Sequence, residues 1–265
     1  IPGSLFSNTM SAPYELIYWP GAPGRAEHIR LVLEESAATY SDTARLGMEE
    51  CGGIVWAQMG DTNFGDKGNA PPYAPPILKH GDLLISQTSN ILMYLAPRLG
   101  LAPAEDALAI YRLNALVLTA LDGLSNEVHD THHPIAKELA YEDQKTEALR
   151  RSQEFVKTRL PKHLGYFERV LKGEASGDGP WLHNGTFTYA DLVLFHCIDG
   201  TLFAFPKVMA AAKESGKYGR VFALYEAVKA RPRIAAYLAS ERRQKYSIGI
   251  YRYYEEMDVV PTEDK

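Results

Sequence analysis

Residues Tyr73 to Leu95 read YAPPILKHGDLLISQTSNILMYL, and the fold turns on them. Pro75-Pro76 forces an extended, kinked approach, because each proline fixes its own φ and Pro76 pushes Pro75 out of the helical region. Ile77-Leu78 and Leu83-Leu84-Ile85 are short apolar runs, and His80-Gly81-Asp82 between them carries turn chemistry. An antiparallel hairpin is the expectation. Ser86-Gln87-Thr88-Ser89 then opens a helix running to about Pro97. Cap-type residues at a helix start leave N–H groups and hydroxyls facing outward, a seat for a carboxylate.

Outward from this stretch, Tyr14–Trp19 (YELIYW) reads as a buried strand. Pro20–Gly24 is a loop that must bend sharply. Arg25–Glu35 is an amphipathic helix with Ile29, Val32 and Leu33 on its apolar side. Residues 40–72, glycine-dotted and containing Trp56 and a polar run, read as mostly loop. The order is strand, helix, irregular segment, proline, hairpin, helix: an α/β unit over 13–97. Pro97–Pro103 breaks the pattern, so 98–104 is a linker. Beyond it strand signals vanish. Glu105–Thr131 and Tyr141–Lys172 are helical, the latter bent or restarted at Pro161. Thr188–Phe203 follows a capping box in which Asp191 stands where Glu is usual. Its apolar residues run almost all round, which predicts a central, buried helix. Val221–Ala230 and Arg233–Ser240 are shorter helices. The all-helical domain therefore spans 105–243, and 244–265 is a tyrosine-bearing tail.

Composition narrows the classes. With 265 residues, 46% hydrophobic, the chain supports one large or two modest domains with a sizeable core. A net charge of −5 with no basic face argues against nucleic acid. No 18-residue apolar run exists, so no membrane partner is expected. Residues 1–12 lack a signal-peptide pattern and read as an expression remnant or a disordered tail. Cys51 and Cys197, far apart and without companions, suggest packing roles in a reducing, cytoplasmic setting.

The proline-hairpin-Gln-Thr stretch resembles the glutathione transferases, in which P-x-L, a G-D turn, Q-[ST] and an apolar helix follow in that order. The gap from Pro76 to Gln87 is that of the pi-class enzymes. The T-x-x-D box before a buried helix resembles the family's folding signature, and the resemblance covers most of residues 13–240. It implies an α/β plus all-α fold: a thioredoxin-like N-terminal domain followed by a C-terminal helical bundle. It also implies a cytoplasmic, tyrosine-type enzyme that uses glutathione as co-substrate, acts on small hydrophobic electrophiles and forms a homodimer.

By the same resemblance, Tyr18 in Tyr18-Trp19 is the catalytic residue. A thiol with a pKa near 8.5 is only a few per cent ionised at neutral pH, and a phenol donating to sulfur favours the thiolate. The competing reading makes Tyr18 a core residue, with Tyr14 or another hydroxyl acting instead. Gln87 and Thr88 match the pair that holds the γ-glutamyl carboxylate. Pro76 matches the cis-proline, and Pro75 the residue whose backbone pairs with the cysteinyl unit. Trp56 resembles the tryptophan at the glycyl end. Asp122, in Leu121-Asp122-Gly123, resembles the acid that reaches across a dimer to the glutathione amine, against a plain solvated helix charge. The sequence departs from the family at two points: the Pro20–Gly24 loop is one residue longer, and Pro75 has no N–H to donate. His129, His132 and His133 lie at i, i+3, i+4 on one helix face. They are expected to rim the electrophile pocket, and no metal is expected. Three other readings stay open: a non-catalytic carrier of hydrophobic ligands, a glutathione-dependent isomerase or peroxidase, and a structural module with a vestigial seat.

Overall fold

A computed structural model of the chain describes residues 12–262. The readings made for residues 1–11 lie outside the described residues. The chain divides into two compact units. One holds the residues up to Ala104 together with Pro232–Lys245, and the other holds Glu105–Arg231 with the residues from Tyr246 on.

The first unit is built on a four-stranded sheet of order β2-β1-β3-β4. β1 (Tyr14–Ile17) lies parallel to β2 (Tyr40–Asp42) and antiparallel to β3 (Ile77–His80), which pairs antiparallel with β4 (Leu83–Ser86). The expected hairpin is therefore present, turning at Gly81 with φ +61°. α1 (Glu27–Glu35) and α3 (Thr88–Arg98) pack on one another. Their buried Ile29, Val32, Leu33, Ile91, Leu92 and Leu95 complete the core with Leu16 and Leu78 from the sheet. α2 (Met48–Met59) places Cys51 and Val55 against Ile17 and Ile77. This is the thioredoxin-like layering, a parallel β-α-β half followed by a hairpin and a closing helix.

Residues 40–72 are not mostly loop. They hold β2 and the twelve-residue α2. Gly52-Gly53 lowers the intrinsic helix propensity of that segment, yet burial of Cys51 and Val55 at i and i+4 outweighs it. Tertiary packing supplies most of a helix's stability. α11 (Pro232–Leu238) packs against α1. The Arg233 guanidinium donates to the Glu35 carbonyl at 2.9 Å, and Arg242 reaches the Glu34 carboxylate at 2.9 Å. The structural units thus cut the chain differently from the sequence reading, which carried the helical domain through this segment.

The second unit is all-helical: α4 (Ala109–Leu118), α5 (Asn126–His132), α6 (Lys145–Glu154), α7 (Leu160–Lys172), α8 (Tyr189–Ala204), α9 (Pro206–Glu214) and α10 (Gly219–Lys229). α4 and α5 are joined by a π-helical turn, Thr119–Ser125, and α6 and α7 by another, Phe155–Arg159. Pro161 sits two residues past the second π turn, at the start of α7, and the backbone stays helical through it. α8 is buried on nearly every side and packs against α4, α9 and α10. Its capping box is present: Thr188 N donates to Asp191 Oδ2 at 2.7 Å, and Leu182 N donates to Oδ1 at 2.8 Å. The tail is structured. Tyr251 is buried against Gly200, where any Cβ would strike its ring, and the Asp258 carboxylate accepts from the N–H groups of Lys207 and Val208 at the start of α9. Among the described residues no single helix is long and apolar enough to cross a membrane.

Candidate functional site

The sheet register sets the site. Ile17 pairs with Ile77, and Ile77 pairs with Ser86. One step beyond these last partners lie Tyr18, Pro76 and Gln87, so three residues singled out from the sequence end at the same edge of the sheet. Thr88 begins α3 immediately after.

Tyr18 lies just past β1, half-buried. Its backbone is clamped by Thr43, which accepts from Tyr18 N at 2.9 Å and donates to Tyr18 O at 2.9 Å, and by the Cys51 thiol, which donates to the same carbonyl at 3.1 Å. The hydroxyl accepts from Arg25 N at 3.0 Å. That bond uses a lone pair and leaves the phenol's own proton for a donor role. Burial pushes the Tyr18 pKa up, opposed by the Arg25 N–H and by the charges of Arg25 and Arg30. The phenol is thus held protonated at neutral pH, the state that donates.

The loop before α1 is shaped for this ring. Gly24 has φ +54°, and a Cβ there would collide with the Tyr18 hydroxyl, so only glycine fits. The buried Arg30 anchors the loop from below. Its guanidinium donates to Pro23 O at 2.9 Å, to Glu27 at 3.2 Å and to Asp42 at 2.7 Å. A fully buried cation with this many acceptors fixes geometry; removing one partner would leave an uncompensated charge.

The Thr88 hydroxyl makes a long contact of 3.4 Å to Arg25 O. The Arg25 backbone therefore bridges Thr88 on one side and Tyr18 on the other. Gln87 is exposed, with φ +72° and ψ 119°, and its side chain does not cap α3. The left-handed φ turns Gln87 away from the helix start, and such strain in a non-glycine residue is held only by its surroundings. The amide side chain is left exposed at the start of α3. The Pro75-Pro76 bond is cis, with Pro76 buried and Pro75 half-buried.

Trp56, on α2, stacks edge-on with Trp19 at 5.6 Å between ring centroids and is otherwise 63% exposed. Asp122 is an exposed residue of the π-helical turn in the second unit. His129 and His132 lie on α5, while His133 falls one residue past its end, and all three rings converge. Sequence reasoning missed Gly24, Arg25, Arg30 and Thr43. A glycine followed by a basic residue after a bending loop was visible, but which hydroxyl it faced was not.

Residues 129–241 match the glutathione S-transferase C-terminal domain family. Over most of its length the chain is similar to glutathione S-transferases. It is 26% identical over 194 residues to a glutathione S-transferase of Plasmodium falciparum, covering 72% of this chain and 82% of that one. It is 27% identical over 237 residues to glutathione S-transferase P 1 of Xenopus laevis, covering 89% and 96%. Among solved structures, the pi-class glutathione S-transferase of Onchocerca volvulus aligns with a TM-score of 0.63 at 23% identity, over 85% of this chain and 91% of that one. The fold is thus the transferase fold, a thioredoxin-like unit with an all-helical partner.

Proposed function

We propose that this protein is a glutathione transferase that adds the glutathione thiolate to small hydrophobic electrophiles. The observation that carries the reading is the Tyr18 hydroxyl, held by the Arg25 N–H at the sheet edge where Pro76 and Gln87 end. Gln87 and the Thr88 hydroxyl at the start of α3 seat the γ-glutamyl carboxylate. The Pro75 carbonyl accepts from the cysteinyl amide, and Trp56 flanks the glycyl end. The thiol gives its proton to solvent, and the Tyr18 O–H donates to the sulfur left behind. The thiolate lone pair then forms the C–S bond as the electrophile's leaving group departs with its electron pair.

A homodimer is part of the proposal. Leu108, Tyr111 and Leu118 form an exposed apolar stripe along α4, and Asp122 continues that face one turn further. Unpartnered apolar side chains in a row suit a protein interface, from which Asp122 reaches the glutathione amine of the other copy. Action in the cytoplasm is supported by two buried cysteines that form no disulfide.

The test is Tyr18→Phe. A hydrogen bond to a charged acceptor is worth about 1.5–3 kcal/mol, so the midpoint of thiol ionisation in the bound state should rise by about 1–2 pH units. Thiolate absorbance against pH reads the midpoint, and conjugation of a chloronitrobenzene reads turnover. An unchanged midpoint removes Tyr18 from the mechanism. Glutathione binding without any turnover in the unaltered protein would favour a ligand carrier.

A further inference from the structure

The structure brings together three imidazoles that spacing alone left as a helix face. The ligand-capable nitrogens of His129, His132 and His133 all lie within 4.8 Å of one another. His133 joins them because it leaves the helix: at φ −131° and ψ 55° its side chain swings back over His129 and His132. We propose that His129, His132 and His133 form a binding site for a divalent transition-metal ion of the zinc type, with a fourth position left for water or an anion.

Three neutral imidazoles and an open position are a known zinc arrangement, with Zn–N near 2.0–2.1 Å. Tetrahedral geometry then asks for nitrogens about 3.4 Å apart. The rings must close by about 1.4 Å at most, within reach of side-chain rotation. The second shell is in place. His132 Nε2 lies 3.1 Å from Gly249 O, so Nε2 carries the proton and Nδ1 is left as ligand atom. Gln144 Nε2 stands 3.2 Å from His133 Nδ1 and also donates to the carbonyls of Ala136 and Leu139. The Gln144 amide has two protons and three acceptors in reach, so its hold on His133 is exchangeable. His132 and His133 are buried while His129 is only half-buried, and His133 lines a cavity of about 440 Å³ with Asp130, Lys137 and Arg151, which gives an ion a way in.

The Arg252 charge acts on both His132 and His133. The same Arg252, with Lys137 and Arg151, opposes a bare dication. Asp130 offsets part of this, and an anionic fourth ligand offsets more. The buried Arg252 Nε has no acceptor among the described residues.

The test uses untagged full-length protein, titrated calorimetrically with Zn²⁺, and Co²⁺ as a spectroscopic substitute. The expected result is one ion per chain and a visible tetrahedral Co²⁺ band that Zn²⁺ abolishes. His129→Ala, at the half-buried position, should keep the fold and weaken Zn²⁺ by at least about 10–100-fold, the loss that even an outer partner's removal brings. His132→Ala is read alongside its circular dichroism, since His132 is buried. His183→Ala, outside the cluster, should leave binding unchanged. No saturable binding to the unaltered protein, or equal binding in His129→Ala, overturns the proposal. Conjugation activity is not its readout, so the site and the proposed reaction fail separately.

Discussion

Gly24→Ala tests whether the loop before α1 exists to place the Tyr18 hydroxyl. A Cβ at Gly24 would lie 2.7 and 2.8 Å from ring carbons Cε1 and Cζ and closer still to the hydroxyl, where ordinary contact begins at 3.4 Å. The ring must therefore retreat by roughly 0.6 Å or more, or the loop must yield. Alanine at φ +54° adds about 1–2 kcal/mol of backbone strain. The displaced hydroxyl also forfeits the Arg25 N–H, a bond worth about 0.5–1.5 kcal/mol net. A total of about 1.5–3.5 kcal/mol follows, read as a lower urea midpoint. Turnover should fall by about a hundredfold, the cost of misplacing a catalytic group by an ångström. The discriminating assay is a double-mutant cycle. In a Tyr18→Phe background the worst collision is gone, so adding Gly24→Ala should cost less stability, with a coupling of about 0.5–3 kcal/mol. It should then cost almost no further turnover. Wild-type turnover and thiol ionisation in Gly24→Ala, or strict additivity in the cycle, would refute the placement argument.

Pro75 has a carbonyl and no N–H, so Pro75→Val restores one donor to the peptide edge and should tighten glutathione by roughly 1 kcal/mol, about fivefold, in a titration. No gain means that the cysteinyl unit does not lie along this edge. Asp191→Asn should cost about 1 kcal/mol or more through the lost capping box without touching glutathione affinity. Its pH dependence has a definite sign. Burial pushes the Asp191 carboxyl up to about 7 from 3.8, against the pull of Leu182 N–H, Thr188 N–H and the Thr188 hydroxyl. The folded state therefore binds the proton more tightly, and this contribution is complete below about pH 3.8 and lost as pH rises through 7. The stability difference between wild type and variant should shrink by about 1.4 kcal/mol per pH unit across that window. A difference flat with pH, measured by denaturant unfolding, would place the ionised carboxylate in the fold.

What was legible in the sequence was whatever local chemistry dictates. Gly81-Asp82 between apolar runs gave the hairpin, and Thr188 with Asp191 gave the helix start. The unbroken apolar run after Asp191 gave the buried helix. What was hidden depended on partners distant in the chain. α2 carries two adjacent glycines and only two buried residues, and it exists because the sheet face of Ile17 and Ile77 needs covering. The return of α11 to α1 rests on Arg233, Arg242 and Arg243 meeting Glu35, Glu34 and Glu27 across some two hundred positions. No periodicity in either segment announces that meeting.

The same division runs through the site. Tyr18, Pro76, Gln87 and Thr88 could be placed from their flanking residues, because each adjoins a strand end or opens a helix. Their order of action could not, since it rests on two backbone facts that any side-chain pattern conceals. Gly24 is glycine because the Tyr18 ring occupies the space of its missing Cβ. Gln87 sits at φ +72° because the strand register ends at Ser86 while α3 starts at Thr88, leaving one residue to make the turn. A glycine in place of Gln87 would relieve that strain and stabilise the turn. A polar side chain in a strained position is better accounted for by what it holds than by the turn it makes, and here the nearest neighbours in the register are Pro76 and Tyr18.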